Sequence, residues 1–118
     1  MAKRKAFKSH KRQRIYNKTN GRCGYCGVKL ETDAFEVDHI YPLSKGGSNL
    51  DVNLIASCNL CNKTKGKMTV TEFKAYILGQ IDKIRASNRK FKLMEHFGII
   101  WVKSENIVFY FENPWCKK

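Results

Sequence analysis

The first quarter of this sequence lacks negative charge. Residues 1–30 contain no Asp or Glu, and across all 118 residues 23 Lys and Arg stand against only 10 Asp and Glu, a formal net charge of +13. A small domain with this imbalance is suited to a polyanionic partner. Nucleic acid is therefore the leading candidate for what the protein binds.

The sequence also lacks a long apolar run. No segment approaches the roughly 18 apolar residues that a membrane-spanning helix needs. The basic start, MAKRKAFKSHKRQR, has no apolar stretch behind it, as a signal peptide would have. We therefore expect a cytoplasmic protein with no membrane partner. In such a reducing compartment, cysteines are more often metal ligands or catalytic groups than disulfides.

Internal repeats and low-complexity segments are absent as well. A chain of 118 residues that is 42% apolar and 12% aromatic has the size and composition of one folded domain. The sequence therefore predicts a single domain over residues 1–118.

Four of the five cysteines form two C-x-x-C pairs, CGYC and CNLC. Two such turns let four thiolates converge on one Zn²⁺. A redox motif and a pair of disulfides are the alternatives, but a thioredoxin-type motif occurs once and disulfides need an oxidising compartment. We expect a structural zinc site made of Cys23, Cys26, Cys58 and Cys61. Cys116 lies outside this pattern and is interpreted as an ordinary free cysteine.

The 31 residues between the two pairs, 27–57, form a longer connection than a simple zinc ribbon has. This segment contains Asp38 and His39, which are neighbours on a predicted strand. Side chains of adjacent strand residues point to opposite faces. The two titratable groups are therefore expected to serve different purposes at the end of one strand.

Hydrophobic periodicity predicts a mixed α+β chain. The expected elements are a basic helix from Ser9 to about Asn17, a strand in FEVDHI, a turn in SKGGSN, a strand or helix start in VNLIAS, a helix opened by Thr69 and Glu72 that ends near Ser87, a short helix over 89–97 stopped by Gly98, and a β-hairpin made of IIWVK and IVFYF.

The motifs CGYC, VDHIYPLSKGG, VNLIASC and CNLCNKTKG occur together in this order. Over residues 12–67 they resemble the HNH endonuclease family. The resemblance implies a ββα-metal catalytic unit, here held together by a four-cysteine zinc site. Residues 68–118 then form a C-terminal extension with a helix and a hairpin, outside the resemblance.

The resemblance also implies roles for individual residues. Asp38 and Asn62 would bind a catalytic Mg²⁺ or Mn²⁺, His39 would be the general base, and Asn53 would orient the His39 ring. The family's commonest pattern has His at the position of Asn62, so this chain is an H-N-N variant. An amide oxygen is a harder ligand than imidazole, which suits Mg²⁺. Asn53 could instead cap a turn.

Basic residues form three clusters, in residues 1–30, 62–67 and 83–92. Such clusters indicate a phosphate-binding surface, although each one alone could be a solubilising face. The candidate contacts to DNA phosphates are Lys65, Lys63, Arg12 and Arg22. Either lysine could also be a plain surface residue.

The resulting hypothesis is a metal-dependent HNH endonuclease that nicks or cuts DNA by a one-metal mechanism. It would act as a monomer or homodimer in a bacterial or phage-infected cell, alone or with other phage or restriction proteins. The alternative is a non-catalytic, zinc-stapled nucleic-acid-binding module. A redox or zinc-storage protein would leave the charge of +13 unexplained. The sequence does not specify the DNA site or the pathway.

Overall fold

A computed structural model of the chain describes residues 7–103 and 106–114. Cys116 lies outside these residues. The chain divides into two compact units, Met1–Val70 with Val108–Lys118, and Thr71–Ile107. The helices are α1 (Ser9–Lys18), α2 (Asn59–Lys65), α3 (Val70–Ser87) and α4 (Arg89–His96), and the strands are β1 (Glu36–His39) and β2 (Leu54–Ser57). Short 3-10 turns cover Leu43–Lys45, Asp51–Asn53 and Tyr110–Glu112.

The first unit is built on an antiparallel pair of strands. β1 and β2 pair so that Asp38 lies opposite Ile55 and His39 opposite Leu54. All four residues of β2 are buried, and Ile15 of α1 is buried too. A sheet of two short strands is marginal by itself, so it needs this helix packing and the cysteine turns around it. The mixed α+β class predicted from the sequence is confirmed.

The first cysteine turn is attached to β2 and to the aromatic segment near the end of the chain. The backbone N–H of Gly24 donates to Ala56 O at 2.8 Å, and its carbonyl accepts from Phe111 N at 2.8 Å. The Tyr25 carbonyl accepts from Tyr110 N at 3.1 Å, and the Tyr25 and Phe109 rings meet edge to face at 5.1 Å. The turn is thereby held from both sides.

These contacts replace the predicted C-terminal hairpin, which is wrong for the described residues. Neither residues 99–103 nor residues 106–109 form a strand. Phe109 is buried, and the backbone N–H groups of Tyr110 and Phe111 bond to the cysteine turn. The aromatic residues do contribute to a core, as expected. Their backbone donors, however, are used by Gly24 and Tyr25 and not by a partner strand.

Gly24 is a position where a side chain does not fit. A Cβ there would overlap the side-chain carbons of Ile55, which is fully buried. We expect Gly24→Ala to lower the free energy of unfolding by about 1–3 kcal/mol, the usual cost of overpacking a core. Urea unfolding followed by circular dichroism measures this change.

Gly79 in α3 is the matched control for that substitution. A Cβ at Gly79 meets nothing within 4 Å. Gly79→Ala should therefore stabilise the helix by about 0.5–1 kcal/mol, since Ala loses less backbone entropy than Gly. Equal effects of the two substitutions would show that the Ile55 side chain does not exclude a Cβ at position 24.

The second unit contains all of α4 and nearly all of α3. α3 ends at Ser87 and α4 at His96, with Gly98 following at φ +71°, close to the predicted limits. Asn88 caps α4 by accepting from Phe91 N at 3.1 Å. Arg85 on α3 makes two 2.8 Å hydrogen bonds to the Glu95 carboxylate on α4. Among the described residues, no helix is both long and apolar enough to cross a membrane.

Candidate functional site

Four thiols form a compact cluster in the first unit. The Sγ atoms of Cys23, Cys26, Cys58 and Cys61 all lie within 4.8 Å of one another, and those of Cys26 and Cys58 are 3.8 Å apart. In the part of the chain that the structure describes, this is the only group of three or more His, Cys, Asp or Glu side chains close enough to share a metal ion. The cluster can therefore hold one ion.

The protonation of these thiols differs from one to the next. Burial raises the pKa of Cys26 and of Cys61, and the neighbouring charge of Cys23 raises each further. Burial also acts to raise the pKa of Cys23, but backbone hydrogen bonds at Cys58, Cys26 and Tyr25 outweigh it and lower that pKa. The pKa of Cys23 is thus shifted down while those of Cys26 and Cys61 are shifted up, because neighbouring thiolates oppose one another's ionisation. A cation at the centre would supply the charge that four thiolates require.

Asp38, on β1, is buried and shares one carboxylate oxygen between two donors. Its Oδ2 lies 2.9 Å from Lys65 Nζ and accepts from the Tyr25 hydroxyl at 2.6 Å. Neither of these two donors uses Oδ1. This oxygen is the one that remains open to a cation.

Lys65 lies at the end of α2 and is almost fully buried, with 1% of its surface exposed. Besides Asp38, its ammonium donates to the backbone carbonyl of His39 at 2.9 Å. It therefore joins α2 to the end of β1. Lys65 was expected at a DNA phosphate, but its side chain has no exposed surface in the structure.

Tyr25 is a member of this site that the sequence analysis did not identify. Burial raises the pKa of its hydroxyl far above the usual value, and the nearby Asp38 carboxylate raises it further. The phenol therefore keeps its proton and donates a hydrogen bond to the Asp38 carboxylate. The sequence signal that could have identified Tyr25 is its position between the two cysteines of CGYC, which places an aromatic hydroxyl beside the four-thiol cluster.

Breaking the Lys65 contact should destabilise the first unit. Lys65→Met leaves the Asp38 carboxylate buried without its cation, which typically costs about 3–5 kcal/mol. The measurement is the free energy of unfolding in urea. The double variant Asp38→Asn with Lys65→Met removes the uncompensated charge and should regain part of the loss. If both variants unfolded at the same urea concentration, the ion pair would not be the cause.

His39 ends β1, and its side chain contacts a different set of residues from that of Asp38. The ring is buried, and its Nε2 lies 2.7 Å from the side-chain oxygen of Asn49. The Phe7 ring lies 6.3 Å from it, centroid to centroid. The Asp-His pair is thus divided as the strand geometry predicts, with one side chain at Lys65 and the other at Asn49.

Asn53, expected to orient the His39 ring, has other partners in the structure. Its side-chain oxygen accepts from Tyr41 N at 2.9 Å, and its amide nitrogen donates to Tyr41 O at 3.0 Å and to Ser48 O at 2.8 Å. Asn53 therefore closes the loop between the strands. The His39 ring is instead hydrogen-bonded to the side-chain oxygen of Asn49, a residue for which no role was predicted from the sequence.

The remaining candidates are Asn62, Lys63, Arg12 and Arg22. Asn62, on α2, makes no side-chain hydrogen bond with any described residue, and Lys63 beside it is exposed. Arg12 donates to the Phe35 carbonyl at 2.7 Å and lies 4.3 Å over the Phe35 ring. Arg22 donates to the Gly27 carbonyl at 2.9 Å. Both arginines thus have contacts within the protein.

The basic side chains of α1 also bind the loop that precedes β2. Lys18 Nζ donates to the carbonyls of Asp51 and Leu54 at 2.9 and 2.8 Å, and Lys11 Nζ donates to Asn49 O at 2.9 Å. Arg14 donates to the Asp51 carboxylate at 2.9 Å, and this hydrogen bond lowers the pKa of Asp51. Part of the positive charge of α1 is therefore used to hold residues 49–54.

Comparisons with known proteins bear on the region that contains this site. Residues 23–68 match the sequence model of the HNH endonuclease family. Over 56 residues the chain is 38% identical to the CRISPR-associated endonuclease Cas9 of Corynebacterium diphtheriae, a stretch that covers 47% of this chain and 5% of that protein.

The fold is also similar to part of a solved structure. The crystal structure of the Type II-C Cas9 enzyme from Actinomyces naeslundii aligns with a TM-score of 0.52 and 24% identity, over 61% of this chain and 9% of that one. At this identity the likeness shows the fold alone. The chain thus spans less than a tenth of either of these relatives.

Proposed function

Starting from the HNH endonuclease-family domain at residues 23–68, we propose that this protein is a metal-dependent DNA endonuclease that hydrolyses phosphodiester bonds. The observation that carries the proposal is the end of β1. There, Asp38 has one carboxylate oxygen that neither Lys65 nor Tyr25 uses, and the next residue, His39, has its ring held by a hydrogen bond to Asn49. A charged oxygen ligand and an oriented base at adjacent positions suit metal-assisted hydrolysis.

The donor set fits a hard divalent cation. Asp38 Oδ1 and the Asn62 side-chain oxygen would hold Mg²⁺ or Mn²⁺, since carboxylate and amide oxygens are the ligands that these ions prefer. When bound, the ion supplies charge stabilisation for the phosphate in the transition state. Lys65 and Tyr25 fix the carboxylate through its other oxygen. The ligand therefore needs little reorganisation to bind the ion.

His39 would act as the general base. A neutral imidazole can accept a proton from the attacking water. The strand alternation separates this ring from the Asp38 carboxylate, so the base and the metal ligand approach the scissile phosphate from different sides. By the family resemblance, the products would carry 5′-phosphate and 3′-hydroxyl ends.

We assign the four-thiol cluster to structural zinc. A tetrahedral ion with Zn–S bonds of about 2.3 Å has sulfur-to-sulfur edges of about 3.8 Å, and the Cys26 and Cys58 sulfurs are 3.8 Å apart. Four protein ligands leave no open position for substrate. The zinc would therefore hold the two cysteine turns together, while the hydrolysis takes place at β1.

DNA is the proposed substrate because of the charge of +13 and because phosphate contacts by Lys and Arg supply most of non-specific DNA affinity. Among the residues expected to bind phosphate, Lys63 is exposed on the same helix as Asn62. We therefore propose Lys63 as a phosphate contact near the metal ligands.

The test is cleavage of supercoiled plasmid by purified protein with Mg²⁺, with Mn²⁺ and without added metal. Metal-dependent conversion to open-circular or linear DNA supports the proposal, and the product form shows whether one strand or both are cut. A folded, zinc-loaded protein that shifts the plasmid in a gel yet cuts nothing in any metal would contradict it.

A second candidate is a nucleic-acid-binding module without catalytic activity. It is favoured by one observation: the Asp38 carboxylate is already paired with the Lys65 ammonium inside the protein. In that case metal would bind only at the thiol cluster. Isothermal titration with Mn²⁺ distinguishes the two, because an endonuclease should bind Mn²⁺ in a manner that Asp38→Ala abolishes.

A further inference from the structure

We propose that Asn49 is the residue that positions the general base, and that Lys11 of α1 holds Asn49 in place. This inference rests on the proposed function, since it concerns how His39 is set for proton transfer. It gives the basic N-terminal helix a part in the site that its charge alone does not indicate.

The contact itself defines the state of the ring. Asn49 Oδ1 lies 2.7 Å from His39 Nε2. An amide oxygen has no proton and can only accept, so Nε2 must carry the hydrogen and donate it. In the neutral imidazole the other nitrogen, Nδ1, then has a free lone pair. The hydrogen bond thus selects one tautomer and leaves Nδ1 as the atom that can take a proton from water.

Asn53 has different partners in the same structure. Its side-chain oxygen and both protons of its amide nitrogen are used by the backbone of Tyr41 and Ser48. These three bonds close the loop that leads from His39 to Asn49. Asn53 therefore fixes the path of the chain, and Asn49, ten residues after His39, makes the contact with the ring.

Asn49 is held by α1. Its backbone carbonyl accepts from Lys11 Nζ at 2.9 Å, and the same ammonium lies 3.4 Å from the Asp51 carboxylate. Arg14, one turn further along α1, also binds Asp51. A loop residue that lacked such contacts would lose conformational entropy whenever it met the ring. α1 reduces this entropy loss because it binds the Asn49 backbone carbonyl and the Asp51 carboxylate, on either side of Leu50.

The expected effects separate positioning from folding. Asn49→Leu removes the acceptor and should lower the cleavage rate about 10–100-fold, the usual range for a partner that orients a functional group, with DNA affinity unchanged. Asn49→Asp keeps an oxygen at the same place and should restore most of the rate. Lys11→Met keeps the Asn49 side chain and should give a smaller loss.

The test reads the ring directly. Protein carrying ¹⁵N-histidine is compared with its Asn49→Leu and Asn49→Asp variants by long-range ¹H–¹⁵N correlation spectra, which distinguish the two neutral tautomers from the protonated ring. His39→Gln identifies the His39 signals. We expect Nε2-protonated His39 in the parent and in Asn49→Asp, and a mixture of tautomers in Asn49→Leu. An unchanged His39 tautomer in Asn49→Leu would overturn the proposal.

The activity and the spectra can fail separately. If the parent protein cuts no DNA, the proposed function is wrong, while the spectra still decide whether Asn49 sets the His39 tautomer. If Asn49→Leu and Asn49→Asp lose cleavage equally, with the parent's tautomer in both, Asn49 supports the loop only and is not a positioning residue for the base.

Discussion

Replacing His39 by Ala is expected to lower the rate of plasmid cleavage about 10²–10⁴-fold, the usual contribution of a general base. Zinc content and DNA affinity should stay the same. The reason is that the ring is the only part of His39 that the proposed chemistry uses. The backbone of residue 39 keeps its pairing with Leu54 and still accepts from the Lys65 ammonium. The β1 strand and the Asp38 site are thus preserved.

The other histidines are the matched controls. His10 and His96 are exposed and lie outside the site, so His10→Ala and His96→Ala should cut plasmid at the parent rate. The rate is measured from the loss of supercoiled DNA in a time course with saturating Mg²⁺. Parent-level cleavage by a folded His39→Ala protein would exclude His39 as the base. Loss of zinc or of folded structure in that variant would assign His39 a structural role instead.

Removing zinc is expected to unfold the first unit. Structural zinc sites contribute an apparent binding free energy of about 10–16 kcal/mol to folding. The two cysteine turns flank β2, and Gly24 of the first turn bonds directly to Ala56 within that strand. Without the ion, four crowded thiols would remove the support that a two-stranded sheet requires.

The zinc experiment separates the two proposed ions. A strong zinc chelator should remove the part of the circular dichroism signal that comes from the first unit, and added Zn²⁺ should restore it. Brief EDTA treatment that removes only the weaker ion should stop cleavage and leave the fold, and Mg²⁺ alone should then restore activity. Cys61→Ser should behave like the chelated protein, whereas Cys116→Ser, outside the two C-x-x-C pairs, should fold normally. If Mg²⁺ could not restore activity after EDTA, the division of roles would be wrong.

Local patterns in the sequence determined much of the site. The spacing of the two C-x-x-C pairs predicted a cluster that the structure brings within 4.8 Å. The family resemblance, carried by motifs in a fixed order, is confirmed by the match over residues 23–68. The ends of α3 and α4 were also predictable, because the helix period and the glycine stop are signals within a few residues.

The partners of the charged side chains were decided only by the tertiary structure. The sequence places Lys65 near the proposed metal ligand Asn62, but only the packing of α2 on β1 buries its ammonium against Asp38. The same holds for Lys11 and Asn49, which are 38 residues apart. Periodicity predicts which face a side chain occupies, whereas its partner depends on which distant segment folds against that face. For this reason the cysteine cluster and the Asp-His pair were readable from the sequence, and the residues that hold them in place were not.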